Sequence, residues 1–426
     1  MSKKKRKKQQ IHKKRKRVSV SRHFLRPFII TFCVVLATGV WLLVAYAWII
    51  APTKSKDRSH FQLAKEAIAR EDVETQVGEI MDANADYLDI LNDPQYMAEH
   101  NIYAKDAKNP DQITITFAGD ILFDENYAVM SSMMRNGGNI SGAIAPDLIE
   151  EMKSADIMML NNEFPYSDRG IPTEGKQFTF RARTSYVSYL DDLGVDLVSL
   201  ANNHAYDYGE EAFLDTLAVL EEAGVTYVGA GRNLEEARRP VYYIIDNTKI
   251  AFVSATQIER SDNPDTKGAT DSSAGVFRCW NGDNLIETVK EAKENSEFVI
   301  VYLHWGTENE VNIDWAQEKQ APEVAEAGAD LIIGDHPHCL QKIDVVQGVP
   351  IIYSLGNFWF NSKTVDTGMV KVTINREGLQ EFQFIPCLQS GCRTTLLQGE
   401  EKERVLGDMR SISGSVQIDE DGYVTW

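Results

Sequence analysis

From residue 113 onward the sequence alternates short β-rich runs with helical stretches, and this rhythm limits the possible folds more than any other feature. The runs are ITITFAG, DIMMLNN, DLVSLAN, VTYVGAG, KIAFVSA, FVIVYLH, DLIIGD and PIIYSLG, with MVKVTIN and EFQFIPC late in the chain. Apolar periodicity marks helices between them over 143–154, 184–194, 209–223, 282–296 and 316–327. Strands alternating with helices predict an α/β domain. In open α/β sheets the ligand site lies beyond the carboxyl ends of the strands. Polar residues collect there: Asp120 ends the first run, Asn162 and Glu163 the second, and Asn202, Asn203 and His204 the third. His304 ends another, and Asp335, His336 and His338 end one more.

The chain has eight histidines, and the four after residue 110 all occupy these strand ends. One histidine there is ordinarily a hydrogen-bonded packing or loop residue; four together point to a metal centre. Imidazole with carboxylate and amide oxygen suits one or two ions of Mn, Fe or Zn, whereas an all-oxygen set suits Ca or Mg. In DLIIGDHPHCLQ, residues 330–341, a proline separates His336 from His338. Extended backbone would point both imidazoles the same way, and the proline would stiffen the clip, presenting ligands together or to two adjacent ions. Two-metal hydrolases share a bridging carboxylate, which Glu163 could supply. Asp335 reads more simply as a charged loop residue than as an added ligand or pKa partner.

The N-terminus carries a different signal. The first 26 residues hold 13 Lys and Arg and no acid, while the rest of the chain has 31 bases against 63 acids, a balance of −32. Residues 27–51, PFIITFCVVLATGVWLLVAYAWIIA, are uncharged; as a helix rising about 1.5 Å per residue they could cross a hydrocarbon core of roughly 30 Å. The positive-inside rule makes 1–26 a cytoplasmic tail and 27–51 a single transmembrane helix, leaving the main domain outside the cell membrane. AYA at 45–47 resembles a signal-peptide cleavage site, but the apolar run continues past it, which favours an uncleaved anchor. Beside a membrane span the basic block reads as an orientation signal and anionic-lipid contact. The acidic remainder argues against nucleic acid as a partner, because phosphate binding needs clustered Lys and Arg. Residues 52–110 read as linker and amphipathic stalk, with loop from residue 94; 111–390 form the α/β domain, and 391–426 a tail without legible chemistry.

The motifs TFAGDILFDENY, LNNEFP, VSLANNHAYDYG, VGAGRNLEEARRP, VYLHWGTE, GADLIIGDHPHCLQKID and PIIYSLGNFWF, in that order, resemble those of the CapA family, the poly-γ-glutamate capsule biosynthesis proteins of the calcineurin-like metallophosphatase superfamily. The resemblance implies an αββα sandwich with two facing mixed sheets behind the transmembrane helix. It implies Asp120 and His338 as ligands of one metal, Asn203, His304 and His336 as ligands of a second, and Glu163 as the bridge. His204 would be the general acid or transition-state contact. Asp207, three residues on, could orient that imidazole or be a solvated loop carboxylate. Two positions depart from the superfamily: Leu122 stands where a histidine is usual, and Glu163 where the bridge is usually Asp. The first metal would then be under-ligated, with one ion held tightly and the second labile.

The function implied is that of a membrane-anchored, extracytoplasmic protein in synthesis, export or attachment of an anionic capsule polymer, working through a hydrolase-like metal site near polyglutamate synthase subunits. Two alternatives stand beside it: a surface metallophosphoesterase or other metal-dependent hydrolase of an envelope substrate, and a non-catalytic synthase scaffold with a structural metal. Arg181 in FTFRARTS either meets an anionic substrate or is a surface arginine. SLGNFWF puts Asn357 near the site, with Phe358, Trp359 and Phe360 as a stacking wall or as core. Cys339 is soft enough to ligate but favoured as a packing thiol. Cys387 and Cys392 either close a short disulfide loop or stay separate.

Overall fold

A computed structural model describes residues 80–258, apart from residue 82, and residues 267–426. The basic tail, the 27–51 span and most of the stalk lie outside the described residues. Among the described residues no helix is long and apolar enough to cross a membrane.

Two mixed sheets form the centre. One has seven strands in the spatial order Ile102–Lys105, Val241–Ile245, Thr248–Thr256, Phe298–His304, Leu331–Asp335, Val349–Ile352 and Ile343–Val346. The other runs Arg393–Leu396, Gly378–Ser390, Val365–Asn375, Ile113–Ile121, Ile157–Asn162, Leu197–Ser199 and Thr226–Val228, with Asn357–Trp359 also paired to Ile113–Ile121. Their sequences explain the packing. Along Phe298–His304 every residue is buried, so the strand is apolar on both faces. Phe298, Ile300 and Tyr302 point inward against Ile115, Phe117 and Met159 of the other sheet. Val299, Val301 and Leu303 point outward, where Leu285, Val289 and Val324 of the helices Asp283–Glu294 and Trp315–Ala327 cover them. The outer face of the second sheet is covered by Val129, Met152, Phe213 and Leu217 from the helices Ala128–Arg135, Pro146–Ser154 and Gly209–Ala223. The result is an α/β domain, as the alternation called for, in the helix, sheet, sheet, helix layering that the family resemblance implied. Two buried hydroxyl contacts pin the sheets together: Tyr302 donates to the Ala118 carbonyl at 2.9 Å, and Ser199 meets Ser254 at 2.8 Å.

Helix ends follow local chemistry. Asp314 caps Trp315–Ala327 in a capping box with Gln317, and Gly328, at φ +117°, ends it. The expected 184–194 helix is instead a 3-10 turn, Thr184–Val187, leading into the short helix Ser188–Asp192.

Two stretches differ from the sequence reading. Residues 94–112 are not simply loop: Asp93 caps the helix Pro94–Glu99, and Ile102–Lys105 adds a parallel edge strand beside Val241–Ile245. The 391–426 tail belongs to the fold. Arg393–Leu396 closes a hairpin with Gly378–Ser390, and the helix Gly399–Ile412 buries Val405, Leu406 and Met409 in the core between the sheets. A boundary at 390 therefore cuts a hairpin. Among the described residues Cys387 and Cys392 form no disulfide, with each other or elsewhere.

Candidate metal centre

Both sheets bring strand ends to one rim. The second sheet contributes Asp120, Glu163, Asn203 and His204, and the first contributes His304, Asp335, His336 and His338. A bulge aims Asp120: Ala118 lies opposite Leu160 and Asp120 opposite Asn161, so Gly119 is the extra residue. Only glycine fits there, since a Cβ would lie 2.0 Å from the Gly356 carbonyl oxygen. That same oxygen accepts the Asp120 N–H at 3.2 Å.

The H-P-H clip converges for a reason other than the one the sequence suggested. The strand stops at Asp335, and His336 and His338 adopt φ of +92° and +58°. They are not in extended backbone, so a tight turn in left-handed geometry turns both rings inward. Such φ values are uncommon for non-glycine residues and mark functional loops. The two ring centroids lie 5.8 Å apart.

Ligand-type atoms of Glu163, His304 and His336 all lie within 4.8 Å of one another, and so do those of Asp120, Glu163 and His338. Glu163 is common to both groups. His304 Nε2 is 2.8 Å from Asn203 Oδ1, 3.0 Å from His336 Nδ1 and 3.6 Å from Glu163 Oε1. His338 Nδ1 is 2.9 Å from Asp120 Oδ2. Glu163 is fully buried, yet neither of its oxygens has a hydrogen-bond partner among the described residues, and Asp335 Oδ2 and Asn357 Oδ1 are also unpartnered. Buried polar atoms are nearly always satisfied, so converging, unmet acceptors are what a cation would hold together. The donor set of imidazole nitrogen, carboxylate oxygen and amide oxygen fits a divalent transition metal.

Charge in the centre agrees with that. Burial, with Asp120 and Asp335 close by, raises Glu163 well above the ordinary carboxyl range. Asp335 is raised by burial and by Asp120. Burial pushes Asp120 up as well, but the His338 and His304 imidazoles and Asn161 outweigh it and leave it lowered. Burial takes His304 down to about 3 and carries His336 well below its usual value. Both imidazoles are neutral near pH 7 and free to ligate. His338 is the exception, because Asp120 overcomes its burial and raises it. Cation binding would displace the proton that the raised Glu163 carboxyl retains.

The supporting contacts are as telling. Asp335 is no loop residue: it is the buried last residue of its strand, and its Oδ1 lies 2.9 Å from His304 Nδ1. That contact fixes the ring so that Nε2 faces the centre. Asp207 is likewise buried and takes His204 Nδ1 at 2.7 Å, which leaves His204 Nε2 4.0 Å from Glu163 Oε1. Burial lowers the His204 pKa against the pull of Asp207.

A cavity of about 350 Å³ opens onto this rim, with Leu122, Phe180, His204, His338, Asn357 and Phe360 in its walls. Leu122 fills its position with an apolar side chain. Asn357 pairs in register with Asp120. Of the three aromatics, Phe360 flanks His338 at 5.0 Å, while Phe358 and Trp359 are core. Arg181 does not line the cavity: its guanidinium lies 4.2 Å over the Tyr208 ring and donates to the Arg169 carbonyl. Cys339, its thiol raised to about 11 by burial, joins none of the metal-type groups among the described residues.

Three contributors escaped the sequence reading. Asn161 donates to Asp120 Oδ1 at 2.8 Å, Lys176 pairs with Asp207 at 2.6 Å, and the Phe180 ring packs 4.3 Å from His204. The strand-end rule could have found Asn161. Lys176 and Phe180 lie on a long loop that carries no local signal.

Fold and site together define a class: a two-sheet α/β protein with a buried, metal-competent His/Asp/Glu centre at the strand ends. The family described as bacterial capsule synthesis protein PGA_cap matches residues 114–362, and the chain belongs to that family. It is 29% identical over 317 residues to the capsule biosynthesis protein CapA of Bacillus anthracis, covering 69% of this chain and 72% of the relative. It is 28% identical over 284 residues to the PGA biosynthesis protein CapA of Bacillus subtilis (strain 168), covering 65% and 71%. A probable polyglutamine synthesis accessory protein of Mycobacterium tuberculosis is 24% identical over 291 residues, covering 59% and 75%.

Proposed function

We propose that this protein is a membrane-anchored, extracytoplasmic metal-dependent hydrolase of metallophosphatase type that acts on an anionic capsule polymer, poly-γ-glutamate, during its synthesis, export or attachment. One observation carries the hydrolase part: Glu163, buried and without a hydrogen bond among the described residues, is common to two groups of ligand-type side chains beside an open cavity. The names of the relatives support the pathway, and the polyglutamate synthase subunits are the partners that fit it. Asp120, Glu163, Asn203, His304, His336 and His338 would hold one or two divalent cations. Lewis acidity toward a carbonyl or phosphoryl oxygen is what such cations supply.

The remaining work falls to this chain's own side chains. Asp207 accepts the Nδ1 proton of His204, so Nε2 faces the cavity and exchanges a proton there. Leu122, Phe180 and Phe360 keep part of the wall apolar, which strengthens charge interactions inside. The excess of acid outside the basic tail opposes a polyanion; Lys363 on the cavity wall supplies a local cation.

His204→Ala and His304→Ala separate catalyst from scaffold. His204→Ala should keep its metal by elemental analysis yet lose about 10²–10⁴-fold in turnover of polyglutamate or a small phosphoester, and fail to restore capsule in cells. His304→Ala should lose metal as well. Full capsule with His204→Ala but none with His304→Ala would make the metal structural and the protein a scaffold. Turnover of the phosphoester without any of polyglutamate would favour an envelope phosphoesterase. Orientation has its own test: protease added to intact cells should remove the acidic domain and spare the basic N-terminus, and a protected acidic domain would reverse the topology.

A further inference from the structure

We propose that Lys176 is a positioning residue for His204, acting from a strap, residues 164–183, that lies across the loop bearing Asn203, His204 and Asp207. The strap's ends are tied to each other, with Ser167 N–H donating to the Ala182 carbonyl and Ala182 N–H to the Pro165 carbonyl, both at 2.9 Å. Between those ties it grips the loop at several points. Thr173 donates its N–H at 2.8 Å and its hydroxyl at 3.0 Å to the Asp207 carbonyl. The Phe180 N–H reaches Asp207 Oδ2 at 2.7 Å. Gly170, at φ +89°, lies so close to Tyr208 that a Cβ would come within 2.2 Å of its carbonyl oxygen.

Lys176 is the centre of this grip. Its ammonium donates to Asp207 Oδ1 at 2.6 Å and to the Asn203 carbonyl, and the side chains of the pair are 7% and 0% exposed. A buried ion pair is poor evidence for stability, because desolvation offsets most of the attraction. Here the pair has a geometric consequence. With Oδ1 occupied by Lys176, the carboxylate is left with Oδ2 for the imidazole, 2.7 Å from His204 Nδ1. The ring proton is thereby held on Nδ1 and Nε2 is left toward Glu163. The same ammonium ties the Asn203 backbone to Asp207, so the loop cannot twist between the two. Without it, only the Phe180 N–H restrains the carboxylate, which can turn about that contact, and either ring nitrogen can carry the proton.

The kinetic arm of the test rests on the hydrolase reading; the spectroscopic arm does not. In the full-length chain with ¹⁵N-labelled histidine and added zinc, the His204 ring signals, assigned by their loss in H204A, should show the proton on Nδ1. K176M should shift them to a mixture of tautomers. Turnover should fall about 10–100-fold, as for other residues that orient a reacting group, with KM and metal content unchanged. On the H204A background K176M should add nothing, since both act through one imidazole. Unchanged His204 signals in a folded, metal-replete K176M would overturn the proposal, as would a full multiplicative loss on the H204A background. If K176M does not fold, K176Q, which keeps a donor without the charge, carries the same comparison. A wild-type chain that turns over neither substrate would sink the hydrolase reading while the ring signals still decide the role of Lys176.

Discussion

Carboxylates shielded from solvent occur at both ends of the strands in the paired sheets, and the two rims treat them in opposite ways. At the N-terminal ends of the strands, Asp156 accepts from the Lys108 N–H at 2.6 Å and from the Thr114 N–H and hydroxyl at 2.7 and 2.8 Å. Asp196 there is held by Lys105 at 2.6 Å and by the Met158 N–H at 3.0 Å. At the C-terminal ends, Glu163 has no donor on either oxygen and Asp335 has none on Oδ2, among the described residues. One rim uses acids to lock chain to chain; the other pairs Asp120 and Asp207 but leaves both Glu163 oxygens and Asp335 Oδ2 unmet. Burial of a carboxylate therefore does not mark a site by itself; what marks it is the missing partner.

The largest test of this contrast removes ligands. His336→Ala combined with His338→Ala should strip the metal from the full-length chain, and turnover should fall by at least the roughly 10²–10³-fold typical of losing one electrostatic donor. Asp156→Asn at the opposite rim should leave metal content unchanged by elemental analysis. Equal metal in all three proteins would erase the distinction between the rims. Leu122 adds a refinement, since the position shared by Asp120 and His338 should fill only partly.

Next in size is the response to metal itself. A divalent transition cation at about 100 times its dissociation constant should stabilise the folded chain by about 2.7 kcal/mol, read as a rise in thermal midpoint that a chelator reverses. The smallest effect sharpens the contrast by its sign. In metal-free protein, Glu163→Gln should stabilise by about 1–2 kcal/mol by removing an uncompensated buried acid, whereas Asp156→Asn should destabilise by about 1–3 kcal/mol by leaving buried donors unpaired. Titration gives the same sign. The folded-state pKa of Glu163 is raised, so the native state binds more protons than the unfolded chain above the ordinary carboxyl range. Metal-free stability should fall as pH rises through that window, and less steeply in Glu163→Gln. Denaturant titration across pH measures both.

Much of the site was legible because the strand-end rule is topological. It located Asp120, Glu163, Asn203, His204, His304, His336 and His338 without knowledge of which sheet each strand would join. It missed what depends on the turn after the strand. Period-two reasoning gave His336 and His338 the right destination by the wrong route, since positive φ leaves no trace in composition. Asp335 looked like loop because its neighbours are polar on one side only; pairing with His304 required two strands to lie side by side. Lys176 lies 31 residues before Asp207, and nothing in GKQF indicates burial. Arg181 had the right charge but was diverted to Tyr208. The C-terminal helix was overlooked because Val405, Leu406 and Met409 are sparse among charges, and their partners are in strands far earlier in the chain.

Asp120 and His338, 2.9 Å apart in space, are separated by 218 positions in the chain. A zinc finger draws its ligands from one short segment, so its ion can nucleate the structure. Here both sheets must be in register before either ligand group exists, and closing a loop of that length is slow. An ion bound here would thus arrive as a late passenger, absent from the folding transition state. It would act as a brake on unfolding and leave the speed of folding nearly untouched.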